Sequence, residues 1–191
     1  MAEPTRPARL ILVLLAVAGL TGLILGGMER LTREPIRATE RAAKEEALRA
    51  VLPGARAFEP LPLPKGYALD EVLRAVADGR TVGYAYLASP KGYGGPIRLV
   101  VGIRPDGRVE AVRILSLNET PGLGSKATEP AFIGQYAGKA ARPFRVVKNP
   151  PQAPEEIQAI SGATISSRAV TSGVDEAVRC FVAVHAKEAS R

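Results

Sequence analysis

Hydrophobic and polar positions divide the chain into three regimes. From Leu10 to Met28 (LILVLLAVAGLTGLILGGM) no residue is charged. As a helix this run reaches roughly 28 Å at about 1.5 Å per residue, close to the hydrocarbon thickness of a bilayer. The apolar part of a secretory signal is shorter, about 7–15 residues, and a small-residue cleavage site follows it. Gly26-Gly27-Met28 is a poor cleavage site and there is no lipobox cysteine. The pattern therefore predicts a tail over 1–9 and an uncleaved transmembrane helix over 10–28.

Beyond the span the apolar positions change to helical spacing. Pro35 suits the first turn of a helix, where its missing N–H costs nothing. Ile36, Ala43, Ala47, Ala50 and Val51 then share one stripe, while Glu40/Lys44 and Arg41/Glu45 form i,i+4 pairs on the wet side. Pro53-Gly54 ends the pattern, so residues 29–57 read as a helical stalk or connector, with plain packing the expected use of its Ala-rich face. Phe58–Gly66 is Pro-rich and reads as an extended connector.

Residues 58–191 read as a single α+β domain. Asp78-Gly79 is a hairpin turn between Glu71–Ala77 and Thr81–Ala88, although Glu, Leu, Arg and Ala over 70–77 also allow a helix. Pro105-Asp106-Gly107 is a second turn, between Ile97–Arg104 and Arg108–Ser116. Antiparallel pairs of this kind exclude a doubly wound sheet. A Gly-rich turn (118–124), a short helix (129–138), a short strand (144–147) and a Pro-rich loop (149–154) follow. Ser166 or Ser167 is the expected cap of a long C-terminal helix on which Val170, Val174, Val178, Phe181, Val182 and His185 share a face.

Composition narrows the chemistry. One Cys and one His among 191 residues exclude an internal disulfide and leave no zinc or haem site of the usual kind. Any Ser-His-Asp triad would have to use His185, whose apolar face suits a structural role; Cys180 reads as a packing residue. The net charge of +7 invites nucleic acid as a partner, but the Lys and Arg residues are dispersed among acids with few aromatics between them, so no nucleic-acid partner is expected. Charge also bears on orientation: Arg30, Arg33, Arg37, Arg41 and Lys44 after the span outnumber Arg6 and Arg9 before it, which by the positive-inside rule puts the C-terminal part in the cytoplasm. A long following domain crosses regardless of such a count.

Two glycine-containing segments carry the candidate chemistry. Gly122–Ala127 matches G-x-G-x-x-A, but no strand leads directly into it and no acid follows about 20 residues later, so a dinucleotide site is not expected. Ser161-Gly162-Ala163-Thr164-Ile165-Ser166-Ser167 lies just before the long helix. Gly162 lets a ligand approach the backbone, and hydroxyls at a helix start sit where N–H groups lack partners. By spacing alone the plainer reading, a capped helix start in a Ser/Thr-rich turn, is the favoured one.

The segment Ser161–Thr171 (SGATISSRAVT) closely resembles the flavinylation segment of the G subunit of the Rnf ion-translocating electron-transport complex, whose relative is the C subunit of the sodium-pumping NADH:quinone reductase. Glu119-Thr120-Pro121-Gly122-Leu123-Gly124 resembles that family's flavin-side loop, and Gly92–Ile97 and the N-terminal span fit as well. The resemblance implies an FMN-binding domain over 58–191 on the periplasmic side of the bacterial inner membrane. It also implies covalent FMN on Thr164 through a phosphoester, installed from FAD by a flavin transferase. Ser161, Gly162 and Ala163 would shape the approach, Glu119, Thr120 and Leu123 would lie against the isoalloxazine, and Tyr93 would stack. Implied partners are the other membrane and redox subunits of such a complex. No acid, base or nucleophile is implied during turnover. Gln158 stands where the family's segment carries Asp, three residues before the Ser. That departure favours the alternative, a membrane-anchored non-redox ligand-binding or adaptor domain of the same fold that carries no flavin.

Overall fold

The computed structural model describes residues 6–185 and divides into two units, the first ending at Ala43 and the second beginning at Lys44. Helix α1 runs from Arg6 to Val51. Its N-terminal portion holds the one stretch among the described residues that is long and apolar enough to cross a membrane, with a mean hydropathy of 2.5. Leu12, Leu14, Leu15 and Leu23 there are all exposed. Pro35 lies inside α1 and does not open a new helix. Lacking an N–H, it leaves the Leu31 carbonyl without its intrahelical donor, and the helical pattern of Ile36–Val51 simply continues the span.

The second unit is built on a five-stranded antiparallel sheet in sequential order: β1 (Ala57–Leu61), β2 (Glu71–Ala77), β3 (Arg80–Ala88), β4 (Arg98–Ile103) and β5 (Val109–Ser116). Asp78 at φ 51° and Gly79 at φ 74° make the tight two-residue turn between β2 and β3, whose twist matches that of the strands. The helix alternative over 70–77 loses because both faces of β2 are covered: Val72 packs on one side of the sheet, Leu73 and Ala75 on the other. Part of the expected connector is β1, paired from Ala57↔Val76 to Leu61↔Val72. It is an edge strand, which is where a proline such as Pro60 is tolerated.

Side chains alternate between two cores. Tyr84, Tyr86, Leu99, Val101, Ile103 and Val112 face α3 (Thr164–Cys180), from which Val170, Val174, Ala177 and Val178 descend. The opposite face carries Ala85, Leu87 and Val100, covered by Ala47, Leu48, Val51 and Leu52 at the end of α1. Residues 44–52, part of the segment that the sequence pattern assigns to a connector, are thus packed on the sheet, and Lys44 pairs with Glu71. The approach is close enough to need glycine: a Cβ on Gly102 would stand 2.4 Å from the Val51 carbonyl oxygen.

Between β5 and α3 lie a 3-10 turn over Gly124–Thr128, a short helix α2 (Pro130–Ile133) with a further 3-10 turn to Tyr136, and a parallel pair, β6 (Arg145–Val147) with β7 (Glu156–Gln158). After Cys180 a π-helical turn over Phe181–His185 closes the described chain. There His185 is buried, its Nδ1 2.8 Å from the Tyr86 hydroxyl and its ring stacked on Tyr84. Burial pushes the Cys180 thiol up to about 11, which keeps it protonated and unreactive at neutral pH.

Candidate functional site

Three segments distant in sequence meet at the start of α3. The first is the β3–β4 connection, where Gly92 N–H donates to Gly95 O at 2.7 Å and folds 92–95 into a tight turn. The second is the turn after β5, where Gly122 at φ +75° hydrogen-bonds through its N–H to Ser125 Oγ. The third is 160–167. Here Ala163 N–H donates to Ile160 O, and Gly162 at φ +76° turns the chain into the helix. An L side chain resists that backbone angle, and a Cβ at Gly162 would also press within 3.1 Å of Leu123 Cδ2.

The start of α3 differs from the sequence expectation. Neither Ser166 nor Ser167 caps it. The helix begins at Thr164 with Ala163 at the cap position, and no side chain accepts from its first N–H groups. The two serines are used elsewhere. Ser167 Oγ donates to Ala163 O at 2.9 Å and accepts from Ile160 N–H, bracing the turn. Ser166 Oγ donates to Glu119 Oε2 at 2.6 Å. An uncapped helix start leaves donors and a partial positive charge for an anion.

Between these segments lies a cavity of about 490 Å³ lined by Tyr93, Glu119, Thr120, Leu123, Gly124 and the run Gly162–Ser166. That volume falls in the usual range for small-molecule sites, about 300–1,000 Å³. Seven of the eight residues singled out from the sequence line it: Tyr93, Glu119, Thr120, Leu123, Gly162, Ala163 and Thr164. Ser161 is exposed and not on the wall. Tyr93, Leu123 and Ile165 form an exposed apolar rim, suited to the faces of a flat aromatic ring. Thr164 is half-buried at the wall. An uncapped helix start, a hydroxyl beside it and apolar walls together fit a phosphate-bearing aromatic cofactor such as FMN.

Glu119, 8% exposed, is held more firmly than its sequence context suggests. Its Oε1 accepts the N–H groups of Tyr93 at 2.8 Å and Gly94 at 3.1 Å, and its Oε2 accepts the Ser166 hydroxyl. One carboxylate thereby joins all three segments. Gly124, Ile165 and Ser166 also line the wall; they lie inside the two segments singled out in the sequence, whose pattern assigns none of them a part in holding the ligand. Gly122–Ala127 forms no strand–turn–helix unit, because Gly124 opens a 3-10 turn. Gln158 lies outside the cavity at the end of β7, its N–H given to Gln135 Oε1 and its carbonyl accepting from Gln135 Nε2.

A family model described as the FMN-binding domain matches residues 92–179, from the Gly92 turn to the last turn of α3. The chain is 32% identical over 185 residues to the G subunit of the Na(+)-translocating ferredoxin:NAD(+) oxidoreductase complex of Acetobacterium woodii, covering 89% of each. With the G subunit of the proton-translocating ferredoxin:NAD(+) oxidoreductase complex of Clostridium ljungdahlii it shares 50% identity over 99 residues, 52% of this chain and 53% of that one. It is 28% identical over 187 residues to the G subunit of the ion-translocating oxidoreductase complex of Methanosarcina acetivorans, 93% and 96% of the two chains. Among solved structures, Shewanella oneidensis NqrC superposes with a TM-score of 0.52 at 21% identity over 73% of either chain. The C subunit of the Na(+)-translocating NADH-quinone reductase of Parabacteroides distasonis gives 0.50 at 24% identity, over 59% of this chain and 60% of that one. These two show the likeness of fold.

Proposed function

Because the chain belongs to the G-subunit family of Rnf-type ion-translocating oxidoreductase complexes, we propose that it is a membrane-anchored electron-transfer subunit whose FMN is carried covalently on Thr164. The observation that carries this reading is the position of Thr164: first residue of an uncapped helix, on the wall of a cavity that also holds Tyr93, Glu119, Thr120 and Leu123. Bound FMN would supply one- and two-electron redox chemistry. The chain's own residues hold it. The first N–H groups of α3 would face the phosphate, Gly162 would keep side-chain bulk away from it, and Leu123, Ile165 and Tyr93 would shield the ring from water.

Thr164 acts chemically once, during maturation by a separate flavin transferase. Its Oγ forms a P–O bond to the flavin-side phosphorus of FAD while the pyrophosphate bond breaks. AMP leaves, and the hydroxyl proton is released. Thereafter the subunit passes electrons between neighbouring redox centres of the complex, with no residue acting as acid or base. The apolar part of α1 anchors it in the bacterial inner membrane, with the domain on the periplasmic side. The long domain overrides the charge count that points the other way.

Co-expression with a flavin transferase, followed by flavin fluorescence on a denaturing gel, tests the reading. The wild-type band should be abolished by Thr164→Val, which removes the hydroxyl and keeps the shape. A band that survives moves the attachment elsewhere, and a wild-type chain without flavin favours the unflavinylated adaptor that Gln158 suggests. Gln158→Asp should raise the flavin bound per protein or leave it unchanged.

A further inference from the structure

Of the residues that line the cavity, Glu119 alone carries a formal charge, and no lysine or arginine accompanies it. Among the described residues no ion pair reaches its carboxylate. Its three partners, two backbone N–H groups and the Ser166 hydroxyl, are neutral. The fold makes specific room for it. A Cβ on Gly92 would stand 2.2 Å from Oε1, and one on Gly124 would stand 2.5 Å from Oε2 and 2.6 Å from Ser166 Oγ. Two glycines from different segments thus form a cradle around one carboxylate, which is buried at the cavity wall.

We propose that Glu119 sets the reduction potential of the flavin: a fixed, unneutralised negative charge beside the ring that opposes the gain of electrons. The proposal rests on the FMN reading above. Taking up electrons adds negative charge to the ring, and a carboxylate buried in a poorly polarisable wall repels that charge far more than an exposed one does. Salt screens it little, because it is not at the surface. Neutral donors fix its position without cancelling its charge. As a clamp alone the carboxylate is not required, since the amide of glutamine can accept the same two N–H bonds and still meet the Ser166 hydroxyl. The charge is what glutamine would lose.

The test is a spectroelectrochemical titration of the full chain, matured with flavin transferase and FAD and purified in detergent. In Glu119→Gln the ratio of reduced to oxidised flavin at the wild-type midpoint should rise about tenfold, equivalent to about 30 mV for a two-electron couple. Glu119→Asp keeps the charge and should stay within about threefold of wild type. Visible circular dichroism of the flavin separates charge from loosening, because a loosened site dims the signal in both variants whereas the charge effect moves the potential in the glutamine variant alone. A glutamine variant with an unmoved or lowered ratio, or an aspartate variant that shifts as far, overturns the proposal. Should the glutamine variant hold no flavin, Ser166→Ala decides: stripping one donor from the carboxylate should lower the ratio about threefold, and no change or a rise overturns it. A loaded wild type with an unmoved glutamine variant defeats only the role of Glu119, whereas a wild type that takes up no flavin defeats the FMN reading itself.

Discussion

Gly124 shows how much one missing methyl group decides. Alanine there would thrust a carbon to 2.5 Å from Glu119 Oε2, forcing apart the contact that joins the post-β5 turn to α3. Overpacking of this kind costs about 1–3 kcal/mol, so Gly124→Ala should lower the midpoint of chemical denaturation accordingly. It should also reduce flavin loading, because the cavity wall shifts with it. Asp175 offers a residue-scale test by pH. It accepts the Phe144 N–H at 2.8 Å, and burial raises its pKa to about 6, with Glu176 adding to the rise. A carboxyl whose folded pKa lies above its unfolded value binds more protons when folded between about pH 4 and 6, so it weakens the fold at pH 7 and ceases to do so as pH falls. Asp175→Asn keeps the acceptor and should therefore stabilise the protein at pH 7, by less than about 2 kcal/mol because the group is only partly buried. Melting curves should show that gain shrinking toward nothing near pH 4.

At the scale of elements, the two faces of the sheet are closed by helices of different kinds. Helix α3 is amphipathic and presents Val170, Val174 and Val178 to β3 and β4, the spacing that a 3.6-residue period demands. Gly173 lets it approach: a Cβ there would lie 3.0 Å from Leu99 Cδ2. On the other face the end of α1 rests over Gly83 and Gly102, on neighbouring strands. Gly102→Ala would push into the Val51 carbonyl and displace the last turn of that helix. The expected result is a loss of about 1–3 kcal/mol, read as a lower melting temperature. Because the cavity lies on loops joined to α3, flavin loading should fall less in Gly102→Ala than in Gly124→Ala.

For the whole molecule, the consequence is where the second unit can be cut. It begins at Lys44, because Leu48, Val51 and Leu52 cover one side of the sheet. Burying three such side chains contributes roughly 1.5–3 kcal/mol each, together comparable to the entire stability of a small domain. A chain starting at residue 44 should melt cooperatively and run as a discrete species on size exclusion. One starting at residue 58, where pattern alone puts the start of the domain, should aggregate or lack a cooperative transition. Equal behaviour of the two would mean that residues 44–52 add nothing to the core.

Local patterning specified the apolar span, both hairpins with their Asp-Gly turns, the α+β class and the C-terminal helix, though not its cap, since each rests on contacts within a few residues: a helical or alternating period, or a turn that tolerates positive φ. The SGAT segment and the turn at Glu119 stand out by their resemblance to a family's motifs, not by local patterning, which by itself reads the first as a helix cap. Long-range packing decided what those signals left open. The edge strand at Pro60 exists because β2 supplies its partner. The stretch 44–52 is core because the far face of the sheet needs covering, and Pro35 lies within a helix whose two ends have different surroundings. The union of Tyr93, Glu119 and Ser166 in one wall is likewise tertiary. Partners 25, 26 and 47 residues from one carboxylate leave no periodicity in a sequence, whereas in the fold three hydrogen bonds and a pair of glycines hold them together.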